Sequence, residues 1–374
     1  MSIAILSTVT GNGHNSVMKS LASKFKELDY EVETFPTFYE DLMISNKILS
    51  DFYNFLMINS TQLCCKFSEL SSMTRPDLSD VFYEGVKDKI VNFINENQQI
   101  ECFISTSHTI NHAFIRILNE LKVNKPFYIV ITDPYNPISV GFATPGATRY
   151  FCANEVVKEI LLKNKIEEKL ISVTGFPINP KFLKVESKEV LRKKFGLDQD
   201  KKIIMINSGS QGIFHYMQIF KTIYANYNSN LQYIFICGKN VHLYNMLKKF
   251  SEKNMLEDIL HIYGFANNIE ELIQVSDIVI SKAGANSFYE TLHLNVPIII
   301  DGVNGFLYQE RGVIQFVDEY KLGLVLDNIE NVSTVIDDMI KNYEMFKTNI
   351  EQFNLKDGSP LIVNEILSEL KIFG

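Results

Sequence analysis

The stretch Ile278-Val279-Ile280-Ser281-Lys282-Ala283-Gly284-Ala285-Asn286-Ser287-Phe288-Tyr289-Glu290 contains the pattern that decides the fold. It opens with β-branched apolar residues, which predict a buried strand over Ile278–Ser281. Small residues follow, and the apolar spacing after them predicts a helix over Ser287–Leu294. A buried strand, a small-residue loop and a helix in this order form the unit of a parallel α/β sheet.

The same unit recurs throughout the chain. In the second half, further strands are predicted at Lys202–Asn207, Gln232–Cys237, Ile259–Tyr263 and Pro297–Asp301. The helices between them are predicted at Tyr216–Tyr227, Val241–Lys253 and Asn268–Val275. In the first half, strands are predicted at Ile3–Ser7, Glu101–Ser105, Phe127–Thr132 and Arg149–Cys152, with a helix over Ser16–Leu28. The pattern predicts an α/β protein with two doubly wound, Rossmann-like parallel-sheet domains that face a cleft.

The domain boundary is predicted at Gly175-Phe176-Pro177-Ile178-Asn179-Pro180, because two prolines and a glycine cannot continue a helix or a central strand. A chain of 374 residues also exceeds the usual size of a single core. We expect a first domain over residues 1–176 and a second over 177–355. The remaining residues, 356–374, carry a helix pattern that we expect to pack back onto the first domain.

The composition excludes several classes of protein. The formal net charge of −8 and pI near 5.5 argue against nucleic acid as a partner, because phosphate binding needs a basic surface. The five cysteines form no zinc-binding pattern and are expected to be free thiols. We expect no metal or cofactor. No apolar run is long enough to span a bilayer. We therefore expect a cytoplasmic protein, or one held peripherally on the inner face of the cell membrane.

Ligands of doubly wound sheets bind beyond the carboxyl ends of the strands, so the loops there are the candidate sites. Gly11-Asn12-Gly13-His14 follows the first strand, and its histidine is either a general base or a residue that caps the loop. Asp133 ends the strand Phe127–Thr132. Its carboxylate either orients His14, contacts an acceptor, or only holds a turn before Pro134.

In the second half, the loop before Glu290 offers backbone N–H groups at a helix start, which suits a diphosphate. Glu290 could bind a ribose diol, or it could form a capping box with Ser287. Other small-residue loops follow neighbouring strands and either bind the ligand or make plain turns. The candidate binding residues are Ser208, Gly209, Gly238, Lys239, Phe265, Gly284, Ala285, Asn286, Ser287, Glu290, Gln309 and Glu310.

Three further patterns each have a functional and a purely structural interpretation. Asp198-Gln199-Asp200 matches a metal-binding DxD signature, but its position in a turn favours a solvated surface. His108 and His112 have the spacing of a metal pair without an evident third ligand. The stretch 35–67 is rich in aromatic and apolar residues at helical spacing, which indicates either a core helix or a lipid-facing surface.

Together these motifs resemble the processive diacylglycerol glucosyltransferases and plant-type monogalactosyldiacylglycerol synthases, and more distantly the MurG glycosyltransferases. The resemblance is carried by Gly11–His14, Thr132-Asp133, Thr174–Phe182, Cys237–Asn240, Ser281–Gly284, Glu290 and Gln309-Glu310. It implies a GT-B fold and an inverting, metal-independent transfer of a hexose from a UDP-sugar to a hydroxyl of a lipid-like acceptor. By the same resemblance, Glu290 holds the ribose, and Gln309 and Glu310 meet the sugar or diphosphate. His14 lies at the reaction centre.

The chain departs from this family on the acceptor side. Val9 stands where some relatives carry an acidic residue, and Phe142-Ala143 stands near an expected Trp-His pair. Near Val313, the Asn that usually follows Gln-Glu is absent. A soluble small-molecule or natural-product acceptor is therefore an alternative. A UDP-sugar epimerase and a sugar-nucleotide sensor without turnover are further hypotheses.

Overall fold

Two six-stranded parallel sheets form the framework of the computed structural model, which describes residues 2–10, 13–226 and 228–373. Gly11 and Asn12 of the predicted glycine loop lie outside the described residues, as does Tyr227 at the end of a predicted helix. All strand pairs within both sheets are parallel. The predicted fold class of two doubly wound domains is confirmed.

The first sheet has the strand order β2-β1-β3-β4-β5-β6. Its strands are β1 Ser2–Leu6, β2 Glu31–Phe35, β3 Ile100–Ser105, β4 Phe127–Val130, β5 Arg149–Cys152 and β6 Ile171–Val173. The helices of this half are α1 Gly13–Glu27, α2 Phe38–Leu42, α3 Ile44–Asn59, α4 Thr61–Thr74, α5 Asp80–Glu96, α6 Asn111–Glu120 and α7 Glu155–Lys163. The strand order reverses between β1 and β3, so the loops after these two strands border the crevice where ligands bind.

The second sheet has the order β12-β11-β10-β7-β8-β9. Its strands are β7 Lys202–Asn207, β8 Leu231–Ile236, β9 Leu260–Tyr263, β10 Ile278–Ser281, β11 Ile298–Asp301 and β12 Gly323–Leu326. The accompanying helices are α8 Lys188–Phe195, α9 His215–Ala225, α10 Val241–Asn254, α11 Ile269–Val275, α12 Ala285–His293, α13 Arg311–Tyr320, α14 Val332–Lys341 and α15 Tyr343–Phe353. Here the order reverses between β7 and β10, which places the crevice beside the loop that joins β10 to α12.

The chain crosses between the two sheets twice, and the two crossings lie side by side. Gly175 has a φ of +89°, which favours glycine, and the amide of Gly358 donates to the carbonyl of Phe176 at 2.9 Å. The last helix, α16 Ser359–Phe373, then packs against α1 of the first half. Arg149 on β5 contacts the carboxylate of Glu369, which fixes α16 to the first sheet.

Candidate active site

The starts of α1 and α12 meet across the cleft between the two sheets. A Cβ atom at Gly13 would lie 2.9 Å from Nδ2 of Asn286, so the backbone of α1 approaches the first turn of α12 closely. One turn further along, the hydroxyl of Ser16 lies 3.5 Å from Oε1 of Glu290. Two helix N-termini therefore point into one region, where their dipoles favour a bound anion.

The first turn of α12 is open to a ligand rather than capped by a side chain. The N-cap is Gly284, without a side-chain hydrogen bond, and the helix begins at Ala285. The sequence alternative of a capping box between Ser287 and Glu290 is therefore wrong, because the helix starts two residues earlier than the pattern indicated. Helix geometry leaves the N–H groups of Ala285, Asn286 and Ser287 without an intrahelical acceptor.

The carboxyl group of Glu290 is half-buried at this junction. Desolvation raises its pKa to about 8, and the hydrogen bond from Ser16 opposes that rise. A carboxyl with a single weak donor at 3.5 Å has unused acceptor capacity. It is suited to accept hydrogen bonds from a diol that enters the cleft.

The loops after β7 and β8 pack against each other near the same crevice. Gly209 and Gly238 both have left-handed φ angles, +79° and +56°. A Cβ at Gly238 would lie 2.4 Å from the carbonyl oxygen of Gly209, so only glycine fits there. The hydroxyl of Ser208 donates to the carbonyl of Ile236, which makes this side chain part of the loop framework.

Lys239 and Phe265 lie at the outer end of this group of loops. The amide of Lys239 donates to the carbonyl of Ser210, and its ammonium lies 5.7 Å from the centre of the Phe265 ring. The ring of Phe265 is 53% exposed. An exposed aromatic ring beside a cation and a row of backbone amides offers a face on which a planar base can stack.

His14 is held in one orientation at the start of α1. Its Nδ1 lies 2.7 Å from the carbonyl oxygen of Thr106 and 3.0 Å from the hydroxyl of Thr132. Because the carbonyl can only accept, Nδ1 carries the proton and Nε2 keeps its lone pair. Desolvation lowers the pKa of His14 to about 4, against the Thr106 hydrogen bond, so the ring is neutral near pH 7.

Asp133 has a different environment from the one expected if it oriented His14. Its carboxylate accepts a hydrogen bond from the backbone amide of Ser139, and burial raises its pKa to about 6. The groups that contact Nδ1 of His14 are those of Thr106 and Thr132. The orientation of His14 is thus set by its threonine neighbours, and Asp133 holds the loop that follows β4.

Polar side chains, two of them a Lys–Glu ion pair, face each other near the ends of β10 and β11. The ammonium of Lys282 lies 3.3 Å from the carboxylate of Glu310, and Nε2 of His215 lies 3.3 Å from that of Asp301. Glu310 directly precedes α13, and Gln309 beside it is half-buried. Lys282, Glu310, His215 and Asp301 line a small cavity of about 20 Å³, the size of a single water molecule.

The hairpin of α3 and α4 forms one wall of this cavity. Its inner side chains Leu56, Met57 and Cys64 pack on Leu307 of the second half, and Arg311 contacts Glu69 at 3.3 Å. Its outer surface is apolar and exposed. We call this the apolar surface; it comprises Ile44, Ile48, Leu49, Phe52 and Phe55 of α3 with Leu63, Leu70 and Met73 of α4.

The segment Asp198-Gln199-Asp200, which matches a metal-binding signature, forms a turn. The Asp198 carboxylate accepts hydrogen bonds from the backbone amides of Asp200 and Lys201, which makes it the cap of that turn. Across the described part of the chain, no three His, Cys, Asp or Glu side chains gather in a way that could hold a metal ion. The pair His108 and His112 therefore lacks a third ligand of these types among those residues.

Comparison with known proteins finds family matches in both halves of the chain. The model of the monogalactosyldiacylglycerol (MGDG) synthase family matches residues 14–178, and that of the glycosyltransferase family 28 C-terminal domain matches residues 203–301. The processive diacylglycerol beta-glucosyltransferase of Bacillus pumilus is 26% identical over 98% of this chain and 94% of its own. The chain is thus a glycosyltransferase with a monogalactosyldiacylglycerol synthase domain in its first half and a family 28 C-terminal domain in its second.

Solved structures show that the glycosyltransferase has the GT-B fold. The MurG structure from Acinetobacter baumannii superimposes with a TM-score of 0.65, covering 98% of this chain and 99% of that one, at 11% identity. A putative UDP-N-acetylglucosamine 2-epimerase from Listeria monocytogenes also matches, with a TM-score of 0.60, 99% and 95% coverage and 14% identity. The fold alone therefore does not separate transferases from epimerases.

The candidate site brings together residues that the sequence patterns did not reveal. Ser16 meets Glu290, Thr106 orients His14, and His215 faces Asp301. Asp301 ends a predicted strand and could have been found by that position. Ser16 and Thr106 carry no local signal, because their roles depend on contacts between distant parts of the chain.

Proposed function

We propose that this glycosyltransferase moves a hexose from a UDP-sugar to a hydroxyl group of a diacylglycerol-type lipid, with inversion and without a metal ion. The observation that carries the proposal is the meeting of the α1 and α12 N-termini, with Glu290 in the junction and His14 beside it. Names of relatives support the choice of reaction, since the Bacillus protein described above is a processive diacylglycerol beta-glucosyltransferase.

The second half would hold the donor. Glu290 would accept hydrogen bonds from the ribose diol, and the free amides of Ala285, Asn286 and Ser287 would bind the diphosphate. Phe265 and Lys239 would contact the uracil base of UDP. Ser208, Gly209, Gly238 and Gly284 would supply backbone close to the phosphates, and Gln309 and Glu310 would meet the sugar. This assigns donor binding to residues 177–355.

The first half, residues 1–176, would present the acceptor. Nε2 of His14 would take the proton of the acceptor hydroxyl as its oxygen attacks the anomeric carbon. The bond from that carbon to the β-phosphate oxygen would break, and its electron pair would leave with UDP. The N-terminus of α12 would stabilise the charge that develops on the departing diphosphate. Asp133 would shape the acceptor loop, and residues 356–374 would tie the two halves together.

The apolar surface supports a lipid rather than a soluble acceptor. Ile44 is 81% exposed and Phe55 is 59% exposed. Both lie on α3, in the hairpin that also lines the cavity beside Lys282 and Glu310. Among the described residues, no helix is both long and apolar enough to cross a membrane. We propose that the apolar surface enters the outer part of a bilayer, so that the protein works as a peripheral enzyme on the inner face of the cell membrane.

An assay with defined acceptors tests this function. The protein is incubated with UDP-glucose, UDP-galactose or UDP-N-acetylglucosamine and with vesicles that contain diacylglycerol, and both UDP and glycolipid are measured. We expect one UDP for each hexose that is transferred to lipid. UDP release only with soluble alcohols would favour a natural-product acceptor, and interconversion of the UDP-sugar without any acceptor would identify an epimerase. Tight UDP binding without turnover would indicate a sugar-nucleotide sensor.

A further inference from the structure

A second imidazole lies next to His14. The ring centres of His14 and His108 are 5.8 Å apart, and Phe142 packs against both rings, at 6.3 Å and 5.6 Å. His108 follows β3 and His14 follows β1, so the pair lies at the point where the strand order of the first sheet reverses. This is where the first half would present its acceptor.

The backbone around His108 is fixed by close packing. A Cβ at Gly141 would lie 2.0 Å from the carbonyl oxygen of His108, so the loop that carries Phe142 presses directly on this residue. The amide side chain of Asn111 donates to the carbonyl of Gly141 at 3.1 Å and ties the same two segments together. Close packing of this kind fixes the position of the His108 side chain, so the side chain can meet only a ligand group that is correctly placed.

The hydrogen-bonding state of His108 complements that of His14. Nδ1 of His108 is buried and has no partner, and Nε2 has none among the described residues. A buried N–H without an acceptor is unfavourable, so the proton resides on Nε2, where a ligand can accept it. Desolvation and the neighbouring His14 lower the pKa of His108 to about 3, which keeps the ring neutral. His14 thus offers an acceptor nitrogen and His108 a donor nitrogen, on two rings whose centres lie 5.8 Å apart.

We propose that His108 determines acceptor specificity by donating from Nε2 to a second acceptor oxygen, on the carbon next to the one that bears the reacting hydroxyl. The proposal rests on the proposed transfer to a hydroxyl. Two nearby imidazoles, one accepting and one donating, fit two oxygens on neighbouring carbons. A glycerol backbone offers that arrangement, since an ester oxygen or a second hydroxyl lies beside the reacting one. A simple fatty alcohol offers a single oxygen.

The experiment compares two acceptors in detergent micelles, a short-chain 1,2-diacylglycerol and dodecanol, with the wild type and the variant His108→Phe. Phenylalanine retains a planar ring against Phe142 and removes the donor. We expect the wild type to prefer the diacylglycerol in kcat/KM. The variant should lose about 3- to 10-fold toward the diacylglycerol, mainly through KM, and little toward dodecanol. His108→Gln, which restores a donor, should recover part of the preference.

His261→Phe is the matched control, because Nε2 of His261 is likewise buried and unpaired but lies on edge strand β9 of the other sheet. It should leave the ratio between the two acceptors unchanged. Equal losses toward both acceptors in His108→Phe, with UDP affinity intact, would overturn the specificity role. A wild type that transfers to no acceptor would instead contradict the proposed function. Melting curves identify variants that fail to fold, and His108→Gln then decides.

Discussion

Ser16 Oγ and Glu290 Oε1 lie 3.5 Å apart, although 274 residues separate them in sequence. This contact joins the N-terminal parts of α1 and α12, which belong to different halves of the molecule. A carboxyl that depends on the opposite half of the molecule for a hydrogen-bond donor is sensitive to whether the cleft is open, closed or filled. The behaviour of Glu290 is therefore a test of the proposed donor site.

Replacing Glu290 with alanine should weaken UDP binding. A hydrogen bond to a charged group contributes about 1.5–3 kcal/mol, so the dissociation constant should rise by roughly 10- to 150-fold. Isothermal titration calorimetry measures this change. Glu271→Ala is the control, because Glu271 pairs with Lys194 on the surface of the same half and should leave UDP affinity as it was. Unchanged affinity in Glu290→Ala would show that the ribose binds elsewhere.

The raised pKa of Glu290 predicts a pH-dependent stability in the unliganded protein. Its pKa is about 8 when folded and near 4.5 when unfolded, so its contribution is fully present below pH 4.5 and is lost as pH rises toward 8. Glu290→Gln removes this loss. At pH 8.5 we expect the variant to be more stable than the wild type by on the order of 1–2 kcal/mol, after allowance for solvent screening.

Thermal melts of both proteins between pH 5 and pH 9 test this expectation. The difference in melting temperature should widen as pH rises, and saturating UDP should change it, because the ligand occupies the same junction. A constant difference across this range would mean that Glu290 is already ionised at pH 5, and that the cleft is wetter than its packing indicates.

The sequence predicted most central strands correctly because their signal is local. Arg149–Cys152, Lys202–Asn207 and Ile278–Ser281 have the predicted bounds. Three strands were missed: β2, β6 and β12. Each lies at an edge of its sheet, where one side has no neighbour and the run of apolar residues is shorter or interrupted. In β2, Glu31 and Glu33 interrupt the apolar pattern, so no strand was predicted there.

The sequence predicted those residues of the candidate site that lie in loops directly after strands. It did not predict those that reach the site through packing of distant segments. The loop before Glu290 was found because it follows a buried strand. The donor of the hydrogen bond to Glu290, and the threonines around His14, come from elements far away in sequence. The aromatic stretch left two alternatives open. The structure shows that α3 and α4 have one packed face and one exposed apolar face, and lipid contact of the exposed face stays a proposal.

His14→Ala should lower kcat by roughly 10²- to 10⁴-fold, because removal of a general base has effects of this size. UDP affinity should stay within about twofold, since the contacts of this side chain with other described residues are to Thr106, Thr132, His108 and Phe142 of the first half. Single-turnover assays at saturating UDP-sugar measure the chemical step. Thr132→Val keeps the shape and loses the hydroxyl, and we expect an intermediate loss.

The apolar surface should bind bilayers through burial of side chains and not through charge. Residues 44–74 contain two basic and two acidic side chains, Lys47, Lys66, Asp51 and Glu69, so attraction to anionic lipid has no local source. The double variant Phe52→Ser with Phe55→Ser should float poorly with zwitterionic vesicles, whereas the control Val185→Ser, at a residue that is 76% exposed elsewhere, should float like the wild type. Raising the salt concentration should have little effect on the wild type. Flotation that requires anionic lipid, or that persists in the double variant, would place the membrane contact on another surface.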